Sequence, residues 1–244
     1  MLRLLNIFTI FLTALTAQGN GNVLLANDGD RILRPLFSAQ ALYDGRLEFD
    51  VLRDGEKVGK HSVRFKEIAP DILEVVARLD IQVTFLTIPV YDYAYHSTAQ
   101  WRNGRLINLA VKIDDDGEKS TVSASMQGDN LSVIGPTGKI INPHAIFPTN
   151  HWNATVLSSN QVLNTLSGEI SQVKISNQGL EKIRAEGREI EATKYQYAGD
   201  IDTNVWYDTQ GRWVKMRFPA KGGSIIDYEC TSCGIGPKIK PMAK

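Results

Sequence analysis

Residues 73–85 read LEVVARLDIQVTF, and this stretch decides the fold class of the chain. Its odd-numbered positions are apolar. Polar side chains occupy even-numbered positions, namely Glu74, Arg78, Asp80, Gln82 and Thr84. Alternation with period two over such a length is typical of a long, half-buried β-strand and not of a helix. The strand would extend about 43 Å at roughly 3.3 Å per residue, and a strand of that length twists and coils. We therefore expect a curved antiparallel sheet.

Turn residues separate this strand from its neighbours. Asp54-Gly55, Asn103-Gly104 and Asp116-Gly117 each lie between alternating segments, as hairpin turns do. A three-residue loop with Gly104 in a G1 bulge would keep the apolar faces of its hairpin together. The predicted pairs are Trp101 with Ile107 and Ala99 with Leu109 there, and Arg53 with Lys57 and Phe49 with His61 in the hairpin at Asp54-Gly55.

The rest of the chain extends the same pattern. Further strands are predicted near 118–126, 170–176, 180–198, 201–208, 211–219 and 223–229. Residues 135–160 hold three prolines and no strand period, and we expect an irregular segment there, with one short helix within 142–160. Irregular stretches of this length in a compact domain are often functional. The predicted fold is all-β and mainly antiparallel: a long-stranded, curved meander of about ten strands that forms a half-open or closed barrel.

The N-terminus predicts export. Arg3 precedes an uncharged apolar stretch from Leu4 to Ala17, and Ala17-Gln18-Gly19 fits the small-x-small rule of signal peptidase. An uncleaved N-terminal anchor is the alternative. The predicted organisation is a signal peptide (1–19), an irregular lead-in (20–42), a single β domain (43–229) and a C-terminal tail (230–244). We expect a periplasmic protein with no transmembrane segment in the mature chain.

Charge balance excludes one class of partner. Lys and Arg together number 27 and Asp and Glu together number 27. Proteins that bind duplex nucleic acid carry a basic excess that displaces counterions, so no nucleic-acid partner is expected. There is no Gly-x-Ser-x-Gly elbow, phosphate-binding loop or dinucleotide fingerprint. No cofactor and no catalytic residue is assigned, and no histidine pair has zinc-ligand spacing, so no metal site is predicted.

Five motifs occur in a fixed order. They are Phe49-x-Val51-x-Arg53-Asp54-Gly55-x-x-x-Gly59-x-His61, Tyr91-x-Tyr93-x-Tyr95-His96, Trp101-Arg102-x-Gly104-Arg105-Leu106, Pro148-Thr149-x-His151-Trp152-Asn153 and Trp206-Tyr207-Asp208-x-x-Gly211-Arg212-Trp213-Val214-Lys215-x-Arg217-Phe218. This ordered set resembles an uncharacterised family of exported proteobacterial proteins that is catalogued as a domain of unknown function. The resemblance covers residues 43–228. It implies a periplasmic setting and a β-rich fold, and it implies no activity.

At the level of fold alone, a long curved sheet behind a signal peptide is similar to the half-barrels of periplasmic lipoprotein carriers. Tyr91, Tyr93 and Tyr95 share one face of a predicted strand. They could line a cavity whose hydroxyl groups meet an amphipathic ligand, or they could be ordinary core residues. His61 is predicted opposite Phe49, either as a core histidine with a hydrogen-bond partner or as a ligand-binding group.

His151 and Trp152 lie next to each other in the irregular segment. An imidazole beside an aromatic wall could bind a ligand or act as a general base. The alternative is structural, with Trp152 closing one end of the barrel and His151 hydrogen-bonding the loop. Cys230 and Cys233 are the two cysteines of the chain, and in an exported protein they can form a local disulfide.

Three functions are compatible with these features. The first is a periplasmic protein that binds an apolar or amphipathic ligand, such as a lipid, in the concavity of a curved β-sheet. The second is an envelope hydrolase that uses His151. The third is a non-enzymatic assembly or structural factor. The strand length, the aromatic residues and the predicted export favour the first.

Overall fold

The computed structural model describes residues 39–142 and 145–235. The predicted signal peptide, most of the predicted lead-in, His144 and the last nine residues of the tail lie outside the described residues. The described part begins with a single helical turn, α1 (Ala39–Leu42).

The described residues form fifteen strands and two 3-10 helices. The strands are β1 (Arg46–Arg53), β2 (Glu56–Ala69), β3 (Ile72–Phe85), β4 (Ile88–Arg102), β5 (Arg105–Asp115), β6 (Glu118–Gln127), β7 (Asn130–Gly135), β8 (Gly138–Asn142), β9 (Phe147–Pro148), β10 (Gln161–Leu163), β11 (Ile170–Ala185), β12 (Arg188–Gly199), β13 (Thr203–Asp208), β14 (Trp213–Pro219) and β15 (Ile225–Ser232). The 3-10 helices are Ala154–Ser158 and Lys221–Gly223.

Strand β3 confirms the prediction of a long β-strand at residues 73–85. Its side chains alternate between a covered and an exposed face. The covered face consists of the buried residues Leu73, Val75 and Ala77 and the half-buried residues Leu79, Ile81 and Val83. Arg78, Asp80, Gln82 and Thr84 are exposed on the other face. The predicted long, half-buried strand is therefore present, and the fifteen strands, of which all pairs but one are antiparallel, confirm the all-β, mainly antiparallel fold class.

The hairpin registers are partly as predicted. Phe49 pairs with His61 and Ala99 pairs with Leu109. The predicted pairs at the loops are wrong, because Arg53 pairs with Glu56 and Trp101 with Leu106. Both turns are two-residue turns in which both residues have positive φ, and the extra residue of each hairpin forms a bulge inside the strand pair.

Three predictions about the limits of segments are also wrong. A single strand was predicted for residues 180–198, yet Glu186 and Gly187 have φ of 49° and 71° and turn the chain between β11 and β12. The break predicted between 176 and 180 is a bulge within β11, because the pairing with β12 resumes at Gly179. Residues 135–160 were predicted to lack strands but contain β8 and β9; the predicted short helix is the 3-10 helix Ala154–Ser158.

The strands form one sheet that is made of two meanders, β1–β8 and β10–β15, and β9 is added at the edge of this sheet beside β10. Its order is β8-β7-β6-β5-β4-β3-β2-β1-β15-β14-β13-β12-β11-β10-β9. Every pair is antiparallel except β9 with β10. The two meanders are joined by the pairing of β1 with β15, and the sheet does not close into a barrel. Segments near its two ends nevertheless come into contact, since a Cβ atom on Gly135, at the end of β7, would lie 2.5 Å from the carbonyl oxygen of Ser167 in the loop between β10 and β11.

Aromatic side chains connect the two meanders in the core. The ring centroids of Phe49 and Trp213 are 4.3 Å apart. The Trp152 ring packs against Phe65 at 5.3 Å and against Trp101 at 5.4 Å. Because Trp152 lies in the segment between the meanders, this cluster fixes that segment against the sheet.

No helix in the described part of the chain has the length and apolar character needed to cross a bilayer.

Candidate functional site

A cavity of about 460 Å³ opens between the two meanders, within the range of small-molecule sites. Its walls come from strands β2–β4, from the start of β13, from β14 and β15, and from four connecting loops. The apolar part of the lining consists of Ala77, Leu79, Ile81, Leu166, Ile201, Trp213, Met216, Phe218, Ala220 and Ile226. The remaining lining residues are His61, Tyr93, Tyr95, Thr149, Asn150, His151, Asn164, Thr165, Asp202, Thr203 and Tyr228.

The alternation of two strands supplies most of the apolar wall. Ala77, Leu79 and Ile81 are successive members of the covered face of β3. Towards the end of the strand this face loses its packing partners, because Leu79 and Ile81 are only half-buried whereas Ala77 is buried. The covered face of β3 therefore belongs to the core at the start of the strand and lines the cavity towards its end.

Two imidazole rings flank Trp213 at the inner end of the cavity. The His61 ring lies 5.7 Å from the Trp213 ring and the His151 ring lies 5.5 Å from it, between centroids. The Nδ1 atom of each histidine is buried without a hydrogen-bond partner among the described residues. Both rings line the cavity.

Burial keeps both rings neutral at physiological pH. Desolvation lowers the pKa of His61 to about 3, with the nearby His151 acting in the same direction. Desolvation also lowers the pKa of His151 to about 4. A neutral imidazole offers one hydrogen-bond donor and one acceptor and carries no charge.

Tyrosine hydroxyl groups hold the loop that carries His151. The Tyr207 hydroxyl donates to the His151 carbonyl oxygen at 2.8 Å. The Tyr43 hydroxyl donates to the Trp152 carbonyl oxygen at 2.7 Å and accepts from the Trp213 backbone N–H at 3.0 Å. The position of His151 is therefore set by buried side chains on both sides of the loop, and not by the loop alone.

Hydroxyl groups provide further polar positions along the cavity. Burial raises the pKa of Tyr93, of Tyr95 and of Tyr228, so all three phenols are neutral. The hydroxyl oxygens of Thr149 and Thr165 are 3.0 Å apart and hydrogen-bonded. These groups can donate to or accept from a ligand without any charge.

Four of the six predicted ligand-binding residues come together in this cavity: Tyr93, Tyr95, His61 and His151. Tyr91 is half-buried outside the cavity lining, and its hydroxyl donates to the Asp115 carboxylate at 2.7 Å. Trp152 lies in the core between Phe65 and Trp101 and is outside the cavity lining.

Sequence reasoning missed the wall formed by the second meander. Trp213, Met216, Phe218 and Tyr228 belong to β14 and β15, which lie far along the chain from the predicted site. The period-two spacing of Met216 with Phe218, and of Ile226 with Tyr228, could have identified a covered face. It could not have shown which face meets the concave side of β3, because that depends on the pairing of β1 with β15.

Cys230 and Cys233 are joined by a disulfide at the end of β15. The Glu186 carboxylate accepts the backbone N–H groups of Cys233 and Ile235 at 2.5 and 3.3 Å. These hydrogen bonds hold the turn between β11 and β12 against the end of β15.

Within residues 39–142 and 145–235, no group of three or more His, Cys, Asp or Glu side chains is arranged to hold a metal ion.

The family model described as "Domain of unknown function (DUF6134)" matches residues 49–231. The chain belongs to this family. The resemblance inferred from the five motifs is thereby confirmed, and the match runs from β1 to β15, so that it includes both walls of the cavity. No curated protein matches the chain.

A solved structure shares the fold of this DUF6134 protein. It is titled "Crystal Structure of Beta-barrel-like Protein of Domain of Unknown Function DUF1849 from Brucella abortus". The TM-score is 0.55 at 10% sequence identity, over 77% of this chain and 95% of that chain. At this identity the similarity shows a common β-barrel-like architecture and nothing about activity.

Proposed function

We propose that this protein is a periplasmic binding protein that holds an apolar or amphipathic small molecule in the cavity between its two meanders. The observation that carries the proposal is the composition of the cavity wall. Most of the surface that lines the cavity is apolar, and its hydrogen-bonding groups are neutral except for the exposed Asp202, as in small-molecule sites generally.

The apolar wall supplies the driving force for binding. Each 100 Å² of apolar ligand surface removed from water contributes about 2.5 kcal/mol before the costs of association. Leu79, Ile81 and Phe218 are only partly covered by other side chains, so a ligand would also remove their exposed apolar surface from water. The two neutral imidazoles at the inner end would orient its polar group.

The proposed periplasmic location is supported by the N-terminal leader and by the disulfide. Arg3 and the apolar stretch that follows have the organisation of a signal peptide. Disulfides persist in oxidising compartments such as the periplasm, and the bond between Cys230 and Cys233 is consistent with that setting. Fractionation of cells that express the full chain tests this part: we expect a shortened protein in the periplasmic fraction, and an unprocessed cytosolic protein contradicts it.

The alternative of a hydrolase receives no specific support. A catalytic histidine is oriented by a hydrogen bond from its second nitrogen to a third group. His151 Nδ1 has no such partner among the described residues, and the low pKa of His151 makes the ring a weak base. The geometry therefore favours binding over proton transfer.

Titration of the folded protein with the neutral probe N-phenyl-1-naphthylamine tests the proposal. We expect saturable binding that an envelope lipid extract reverses. Leu79→Trp fills the cavity and should weaken probe binding by at least about tenfold. The matched control Ile134→Trp, at an exposed position of β7 outside the cavity, should bind as the parent does. A folded parent without saturable binding contradicts the proposal.

A further inference from the structure

We infer that the ligand of this cavity is an amphiphile with an uncharged, hydrogen-bonding head group, such as a long-chain alcohol or a monoacylglycerol, and not a fatty-acid anion or an alkyl cation. The inference rests on the proposed function and narrows it to one chemical class. The distribution of charged side chains around the cavity carries it.

The cavity lining contains no Lys or Arg side chain among the described residues. Two basic residues of β14, Lys215 and Arg217, are sequence neighbours of the lining residues Met216 and Phe218 and alternate with them along the strand. Arg217 binds the Asp227 carboxylate through two hydrogen bonds of 2.7 and 2.9 Å, and Lys215 lies 3.9 Å from the same carboxylate. Strand alternation therefore directs both cations away from the ligand.

An anionic head group would consequently be buried without a counter-charge. Removing one charge from water without a partner costs several kcal/mol even after the protein relaxes. The imidazoles cannot supply the counter-charge, because burial keeps both neutral at physiological pH.

A cationic head group is not matched either. Asp202 is the sole carboxylate among the described lining residues, and it is exposed in the loop between β12 and β13. Water and salt screen such a charge strongly. The inner end of the cavity, where a head group would leave water, offers only neutral groups: His61, His151 and Tyr228. These groups suit a hydroxyl that both donates and accepts.

Displacement of N-phenyl-1-naphthylamine by three ligands with the same chain tests the inference at pH 7.5. Dodecanol should displace the probe at a concentration at least about tenfold lower than laurate or dodecylamine does. Laurate or dodecylamine equal to or better than dodecanol overturns the inference while leaving the proposed function intact. No binding of the probe or of any of the three ligands ends the proposed function itself and the inference with it.

A charge introduced into the wall supplies the second test. Leu79→Arg places a permanent cation at a half-buried lining position. We expect the preference for dodecanol over laurate to fall by at least about tenfold, whereas the exposed control Ile134→Arg keeps the parent ratio. Met216→Arg replaces Leu79→Arg if circular dichroism shows that the latter is unfolded. An unchanged ratio in a folded cavity variant overturns the inference.

Discussion

Tyr43 is the residue that links the His151 loop to the second meander. Its side chain is fully buried, and its hydroxyl group bridges the Trp152 carbonyl oxygen and the Trp213 backbone N–H. Tyr43→Phe leaves both backbone groups buried without this partner. We expect the free energy of unfolding in urea to fall by about 2 kcal/mol.

The control for this substitution is Tyr91→Phe. The Tyr91 hydroxyl bonds to Asp115 in an exposed setting, where water replaces the lost partner. We expect a loss below about 0.5 kcal/mol. Equal losses at the two positions would show that the bridging role of Tyr43 contributes nothing to stability.

The buried imidazoles give the protein a defined pH dependence. The folded protein binds protons on His61 and His151 only near pH 3 and pH 4, whereas an unfolded histidine binds one near pH 6.5. The unfolded state therefore holds more protons between these limits, and stability falls as the pH decreases from 6.5. Between pH 6.5 and 5 each histidine should account for a loss of about 1.6 kcal/mol.

Urea unfolding at several pH values measures this effect. His61→Gln and His151→Gln should each flatten the pH dependence by about that amount. His96→Gln removes an exposed histidine and should change the slope less, because solvent screens it. Identical slopes in the parent and in both buried-site variants would contradict the assignment.

Part of the site could be predicted at the residue scale. Tyr93 and Tyr95 line the cavity because period two places them on the same face of β4. Tyr91 follows the same period but lies beyond the last paired residue of β5, so its ring has no core to enter. Trp152 was predicted to bind ligand but lies outside the cavity for another reason. Two aromatic partners, Phe65 and Trp101, are distant in sequence and draw it into the core.

Elements were predicted best where alternation is long. The strand at 72–85 was recognisable from its pattern, whereas the turn at Glu186-Gly187 was not, because glutamate rarely adopts positive φ. The loop residues of the other hairpins showed where the chain turns. They could not show that the extra residue lies in a bulge inside the strands, since a loop bulge and a strand bulge preserve the same faces.

The tip of the β3–β4 hairpin is an element with its own behaviour. Its last pairs with neighbouring strands are Ile81 with Gly59 and Tyr93 with Asp115. Beyond them the two strands pair with each other, and Leu86, Ile88 and Val90 are 79%, 65% and 54% exposed. A two-stranded ribbon without a core is marginally stable, and exposed apolar groups promote association.

Replacing Leu86, Ile88 and Val90 together by serine should leave the free energy of unfolding within about 0.5 kcal/mol of the parent and raise solubility. Val75→Ala, on the buried part of β3, should cost roughly 2 kcal/mol. Denaturation and sedimentation measure both quantities. A large loss of stability in the triple variant would show that the tip packs against the body of the protein.

At the scale of the whole molecule, the order of strands was beyond sequence patterns. A consecutive meander was predicted, and each half is one. The join between β1 and β15 brings together segments that are far apart along the chain. Alternation fixes which residues face inward but not which strands are neighbours, so the cavity between the halves was predicted only as a concavity.

The same topology predicts a tolerated circular permutation. The two ends of the described domain are adjacent, since a Cβ atom on Gly234 would lie 2.6 Å from the Leu42 carbonyl oxygen. A short linker from Ile235 to Ala39, with new ends between the exposed residues Pro136 and Thr137, preserves every strand pair. This permutant should unfold in one cooperative transition and bind the probe as the parent does.

The matched permutant carries the same linker but opens the chain between Val51 and Leu52. That cut falls within β1, the strand whose pairing with β15 holds the two meanders together. It interrupts this pairing and separates the two walls of the cavity. We expect this permutant to lack a cooperative transition and probe binding, as followed by tryptophan fluorescence. If both permutants fold equally well, the β1–β15 pair is not what unites the molecule, because the shared aromatic core would then suffice.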